Sequence, residues 1–307
     1  MRQGGFLAKI AVALEQALAH RTLTGAAGRT SGRLLAQGEG WKAEDVICTH
    51  GPHDRSFEEQ HKNYTIALVA AGSFQYRGDH GRELMTAGSI LLGRAGEGFE
   101  CRHDHGSGDR CVAFSYTPEY FERLAADAGG KGSFAVLRLP PMRAFSPLMA
   151  RACAGLFNTT DVPWEEIGLE LASQTVQMAR NGGVDCHPTN SLPSSEARVT
   201  RVLRRIERHI SDSLDVSIAN LAREAGLSPY HFLRTFEAVT GVTPHQYIMR
   251  VRLREAAVRL AAEPERVLDI AYDCCFRDVS NFNRAFRMEF GVSPKAYRRS
   301  RHASVMK

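Results

Sequence analysis

The sequence predicts an α+β protein with two unlike halves: a small antiparallel β-barrel or sandwich followed by helices, then an all-α domain. Three observations carry this. Between residues 34 and 116, short apolar segments alternate with Gly-containing turns, at the roughly 8–12-residue spacing of compact β-structures. Residues 181–197 are dense in Gly, Pro, Ser and Asn and lack apolar periodicity, as a linker would be. Beyond them, one helical pattern occurs twice, fifty residues apart.

Length and composition agree with this division. The 307 residues suggest about two domains. A chain that is 43% hydrophobic and 24% charged is not a disordered, collagenous or coiled-coil sequence. No segment approaches the roughly 18–20 apolar residues of a membrane span, so no membrane contact is expected. The seven cysteines, Cys48, Cys101, Cys111, Cys153, Cys186, Cys274 and Cys275, are scattered and form no CxxC pair. That usage fits the reducing cytoplasm better than a disulfide scaffold.

Charge is divided unevenly. Residues 198–307 hold 20 Lys and Arg against 12 Asp and Glu, whereas residues 1–197 hold 19 against 22. Of the 20 cations, 18 are Arg, whose planar fork suits phosphate and guanine. Such asymmetry points to nucleic acid as a partner of the C-terminal part.

In chain order, residues 1–35 read as an extension in front of the folded domain. Some helical periodicity runs over residues 6–18, and the Gly- and Thr-rich GAAGRTSGR after it reads as linker or disordered chain. Lys9 interrupts the apolar run, which argues against a signal peptide. Residues 36–120 hold the strand candidates, among them YTIALVA, GSFQYRG and CRHDHGSGDRCVAFSY. Helices resume where Thr117 can cap and Pro118 can take the first helical position. Over residues 121–181 further helices follow, one with an apolar face of Ile167, Leu171, Val176 and Met178. Residues 182–197 are the linker and 302–307 a tail.

The repeat fills residues 198–301. Phe232, Arg234, Phe236, Gly241, Val242, Thr243, Pro244 and Tyr247 recur as Phe282, Arg284, Phe286, Gly291, Val292, Ser293, Pro294 and Tyr297. Upstream, Ile218, Leu221, Ala222 and Ala225 recur as Val267, Ile270, Ala271 and Cys274 at an offset one residue shorter, so the second copy has an extra residue in its turn. Each copy reads as helix, tight turn, helix. Gly226 stops the first helix, Ser228 caps the second, and Phe232, Phe236 and Val239 supply its inner face. Two short helices at a fixed turn on a basic domain read as helix-turn-helix, here in duplicate. The connector, residues 243–262, forms a helical pattern about 30 Å long, close to the roughly 34 Å of one DNA turn.

The segment from SIANLAREAGLSPYHFLRTFEAVTGVTP to VLDIAYDCCFRDVSNFNRAFRMEFGVSPKAYRR resembles the AraC/XylS family of bacterial transcription regulators. The resemblance implies an N-terminal cupin-like β-barrel that senses an effector, a helical dimerisation segment, and a C-terminal all-α domain with two helix-turn-helix motifs. It also implies a cytoplasmic homodimer that contacts RNA polymerase, an activator or a repressor, and no enzymatic activity. Carried over by position, Tyr230, Leu233 and Arg234 of the first unit would face double-stranded DNA. Val279, Ser280, Asn283 and Arg284 of the second would do the same. Arg250 and Arg252 are candidate phosphate contacts. Cys275 stands where the second motif of this family usually has Gly, and a left-handed Cys would cost roughly 1 kcal/mol.

In the N-terminal half, chemistry concentrates in CRHDHGSGDRC, with GSGD expected at an exposed hairpin tip. If residues 99–105 form a strand, Cys101, His103 and His105 share one face. With His61 they are the candidate effector-binding residues, for a small organic molecule and without a cofactor. Cys101, His103 and His105 are also a soft N/S set suited to Zn, Ni or Cu, with Cys111, His61, His50 or Cys48 as further ligands. Asp109 is the nearest substitute for the glutamate of metal-binding cupins. A metal sensor or metalloenzyme fused to a DNA-binding module is therefore the alternative reading, and a non-specific architectural binder a third. No GxSxG, HExxH, P-loop or GxGxxG motif is present.

Overall fold

A computed structural model describes residues 6–130, 132–157, 162–180, 192–208 and 216–305. One path of hydrogen-bonded antiparallel strands runs β1 (Thr30–Gly38), β2 (Trp41–Cys48), β8 (Asp109–Tyr116), β4 (Tyr64–Gly78), β6 (Ile90–Gly93) and β9 (Arg138–Leu139). A second sheet sets β5 (Gly81–Thr86) and β7 (Gly98–Arg102) beside the far half of β4, with β3 (Phe57–Gln60) beyond β7. Strand β4 belongs to both. Its register with β8 slips between Val69 and Ala71, and Gly72 takes φ 78°, so the strand bends from one sheet to the other. A Cβ on Gly72 would stand 2.4 Å from the Gly108 carbonyl oxygen, so glycine alone allows this approach.

Alternation along β4 and β8 gives each sheet two apolar faces. Val69, Leu91 and Cys111 pack between the sheets with Phe74, Tyr76 and Cys101. Ile66, Leu68, Val112 and Phe114 point the other way, towards helices. These include α2 (Pro118–Asp127), α3 (Ser146–Gly155) and α4 (Trp164–Arg180), as expected for residues 121–181. Thr117 Oγ1 accepts from Tyr120 N at 3.3 Å, the predicted cap. Ile167, Leu171 and Val176 are buried within the chain itself.

The first 35 residues differ from expectation. Helix α1 (Phe6–Thr24) buries Ile10 and Leu14 in the main core, and Arg110 Nη1 donates to the Ile10 carbonyl at 3.4 Å. Strand β1 begins at Thr30, inside the stretch read as linker. The periodicity over residues 6–18 was the correct signal, and its few apolar residues suffice because they meet an existing apolar surface.

The interdomain linker also differs. Residues 181–191 lie outside those described, but residues 193–197 are the first turns of α5 (Pro193–Arg208), not linker. Helix α5 buries Val199, Val202, Leu203 and Ile206 in a core that runs without a break from the sheet to the first repeat unit. The second unit has its own core, centred on Phe282, Phe286 and Phe290.

The repeat folds as two helix-turn-helix units: α6 (Ile218–Ala225) with α7 (Pro229–Thr240), and α9 (Val267–Asp273) with α10 (Val279–Phe290). Ser228 Oγ accepts from His231 N at 3.4 Å, and Asp278 caps α10 through both carboxylate oxygens, each 3.0 Å from its donor. Helix α8 (Pro244–Ala262) joins the units and opens with the capping box Thr243–Gln246. It is buried on nearly every side: Ile248, Val251 and Val258 enter the first core, and Leu253, Ala256, Ala257 and Leu260 the second. Helix α11 (Pro294–Val305) closes the second unit.

Candidate nucleic-acid interface and sensor site

The two units present matching outer faces. Helix α7 buries Phe232, Phe236 and Val239 and exposes Tyr230, Leu233 and Arg234. Helix α10 buries Phe282, Phe286 and Phe290 and exposes Ser280, Asn283 and Arg284, with Val279 half-buried. Tyr230 is 64% exposed. The Arg234 guanidinium lies 5.9 Å from the centre of that ring. Arg284 Nη2 donates to Asn281 Oδ1 at 3.2 Å, which holds the arginine along the outer face.

The expected phosphate contacts fare differently. Arg250 is committed inward: it donates to the Pro141 carbonyl, and its Nε lies 3.5 Å from Glu289 Oε1. The guanidinium is thus engaged between Pro141 and Glu289, with only part of the side chain exposed. Arg252 is half-buried, and its Nε makes no hydrogen bond.

Arg250 belongs to a polar seam between the two halves that the sequence did not reveal. Arg138 Nε donates to Glu83 at 2.9 Å, and its Nη1 to the Thr240 carbonyl at 3.0 Å. Arg82 pairs with the buried Glu196 at 2.8 Å. Glu207 accepts from Gly72 N at 3.1 Å and from the Tyr247 hydroxyl at 2.9 Å, while burial raises its pKa above that of an ordinary glutamate. Ser146 and Glu289 also meet across the seam. A small cleft opens beside it, lined by Gly88, Pro141, Met149, Tyr247 and Arg254 among others. The pairs Gly72–Glu207, Arg82–Glu196, Arg138–Thr240 and Ser146–Glu289 each join residues more than 100 positions apart, so no local pattern announces them. The seam meets α7 and α10 at Thr240 and Glu289, their C-terminal ends. The outward residues of their N-terminal halves stay clear of it.

In the sensor half, strand β7 ends at Arg102 and residues 104–105 turn, so Cys101, His103 and His105 do not share a strand face. The GSGD segment is not an exposed tip. Gly106, Gly108 and Asp109 are buried, and a methyl group on Gly106 would overlap the Arg204 guanidinium of α5.

His61 and Cys101 do come together, on either side of Tyr76. His61 Nε2 is 2.6 Å from the Tyr76 hydroxyl, its ring stacks on Phe99 at 4.2 Å, and Cys101 is the register partner of Tyr76. Burial pulls the His61 pKa down to about 4, so its imidazole is neutral near pH 7. Burial likewise pushes the Cys101 thiol and the Tyr76 phenol up. His61 and Cys101 thus belong to one neutral, aromatic cluster with Tyr76, Phe57 and Phe99.

His103 belongs to a neighbouring cluster. Its Nε2 is 2.8 Å from Asp109 Oδ1, and Cys48 completes a group of three potential ligand atoms within 4.8 Å of one another. Burial alone would lower the His103 pKa, but Asp109 and Cys48 overcome it and push it up to about 9. His105 stands apart, with Nε2 buried and no hydrogen-bond partner.

Comparison with known proteins matches this geometry. An AraC-like ligand binding domain model matches residues 43–173, and a helix-turn-helix domain model matches residues 221–300. The chain therefore carries a region that matches an AraC-like ligand binding domain and, beyond it, a region that matches a helix-turn-helix domain. Over 114 residues it is 36% identical to the HTH-type transcriptional activator RhaS of Enterobacter sp. (strain 638), covering 37% of this chain and 40% of that protein. The match thus spans about two fifths of the curated relative. An AraC-type transcriptional regulator structure from Chromobacterium violaceum is 24% identical, with 36% of this chain and 96% of that chain covered and a TM-score of 0.32. The DNA-binding domain of AdpA, solved with a target DNA, is 30% identical over 34% of this chain and 94% of that chain, with a TM-score of 0.33. Among the described residues no helix is long and apolar enough to cross a membrane.

Proposed function

We propose that this protein is a sequence-specific DNA-binding regulator of transcription, an activator, whose N-terminal domain takes a small organic effector. The observation that carries this reading is the pair of matching outer faces. Tyr230, Leu233 and Arg234 on α7 and Ser280, Asn283 and Arg284 on α10 are exposed, while the phenylalanines of both helices are buried. Arg can take guanine O6 and N7 with two hydrogen bonds, Asn can pair with adenine, and Leu233 and Val279 suit thymine methyls. The neutral site of His61, Tyr76, Phe99 and Cys101 suits an uncharged or aromatic molecule. Effector binding shifts the balance between arrangements of the two halves, because the seam ties the sheet to α5 and α8. The protein acts in the cytoplasm as a homodimer through the α2–α4 region, contacts RNA polymerase, and is not an enzyme.

Selection of bound sites from random double-stranded DNA at stated salt tests the reading. The expected result is a recovered site with two conserved blocks about one helical turn apart. Binding that falls with salt but ignores sequence would instead make the protein an architectural binder.

A further inference from the structure

We infer that Cys48, His103 and Asp109 form a binding site for a thiophilic divalent cation of the Zn2+ class. The site differs from the Cys101, His103 and His105 set that the sequence suggested. Cys48 ends β2 and Asp109 begins β8, and the two are direct cross-strand partners. His103 lies just beyond β7, at the start of the segment that returns to Asp109. Three separate backbone positions thus converge, and all three side chains are buried.

The donor set is chemically suited. A thiolate, an imidazole and a carboxylate are the ligands zinc prefers at bond lengths of about 2.0–2.3 Å, which places neighbouring donors about 3.3–3.8 Å apart around a tetrahedral ion. The three atoms lie within 4.8 Å of one another, and His103 and Asp109, now at 2.8 Å, need to part by roughly half an ångström. One thiolate and one carboxylate also cancel the charge of a divalent ion, which a buried site requires. His103 Nδ1 is itself buried without a hydrogen-bond partner, as is Nδ1 of His50, whose ring stacks 6.3 Å away. Cys111 Sγ, 3.4 Å from Asp109 Oδ2, holds the second carboxylate oxygen. Three protein ligands leave the fourth position for water or an exogenous donor.

The site is wired to the DNA-binding half. Gly106, between two of the ligands, lies against Arg204 of α5. Gly72, the register partner of Asp109 on β4, donates to Glu207 of the same helix. Fixing the segment from His103 to Asp109 on a cation fixes the surface on which α5 rests.

The inference stands independently of the DNA reading, since its readout is metal occupancy. Full-length protein freed of metal by chelation is titrated with Zn2+ against a chromophoric chelator, and separately with Co2+. The expected result is one equivalent bound, with a thiolate-to-cobalt charge-transfer band in the wild-type protein. Cys48→Ser should abolish the band, and Asp109→Asn and His103→Ala should each weaken Zn2+ binding by more than the about 10–100-fold typical of outer-shell changes. Cys101→Ser and His105→Ala should leave both unchanged. Folded wild-type protein that binds no stoichiometric Zn2+ overturns the inference, and that outcome depends on no variant. Retention of the cobalt band in folded Cys48→Ser, or its loss in Cys101→Ser or His105→Ala, overturns the ligand assignment.

Discussion

Cys275 holds in the second helix-turn-helix unit the left-handed backbone that Gly226 holds in the first, at φ 62° and 65° respectively. The hydrogen bonds match: Leu227 N donates to Ala222 O, and Phe276 N to Ala271 O, each 2.9–3.0 Å. The second turn is therefore not remodelled, and the extra residue, Arg277, falls after it, before the Asp278 cap. Cys275 is the one non-glycine residue at positive φ among those described, and a Cβ there carries strain of roughly 1–2 kcal/mol. Cys275→Gly should raise stability by about 1 kcal/mol, and Gly226→Ala should lower it by at least as much. Urea denaturation of both variants checks the pair.

Arg284→Ala should weaken binding to the selected DNA site by about 1–3 kcal/mol and relax preference at one base position. Titrations against single-base variants of the site read this. An equal loss on every sequence would make Arg284 a phosphate anchor instead.

Arg138→Ala should destabilise the folded chain by about 3 kcal/mol, because it removes the buried guanidinium that pairs with Glu83 and donates to the Thr240 carbonyl across the seam. The residue touches no part of the outward faces of α7 and α10. Chemical denaturation should show the loss, and any change in DNA affinity would report loosening of the seam.

The pKa of His61 falls from its ordinary 6.5 to about 4 on folding. Between those values the unfolded chain binds more protons, so stability contributed by neutral His61 is complete above pH 6.5 and declines as pH falls towards 4. His61→Gln keeps a polar partner for Tyr76 but removes the titration. It should lessen the drop in stability between pH 7 and pH 4.5 by about 1–3 kcal/mol. Parallel melts of both proteins measure it, and identical slopes would contradict the assignment.

The duplicated helix-turn-helix half was legible because its information is local and repeated. Ser228-Pro229, Thr243-Pro244 and the Phe spacing each fix a helix start or a buried face within a few residues. The candidate ligands His61, Cys101 and His103 could be named, but not grouped. Assuming that the strand continued past Arg102 joined His103 to Cys101, whereas the turn at residues 104–105 sends it to Asp109 and Cys48. The role of α1 and the seam were illegible for a different reason. Ile10, Glu207 and Arg250 acquire partners through tertiary contact alone, and nothing within ten residues of them records it.

Because α8 is embedded along its length in two cores, the rotational phase between the outward faces of α7 and α10 is counted in residues. Adding one residue to that helix would turn one face by about 100° relative to the other. Such an insertion would also push buried side chains out of register with both cores. Under the proposed function, single substitutions on the outward faces would change which bases are favoured, while the spacing of those bases is held by α8 and both cores together.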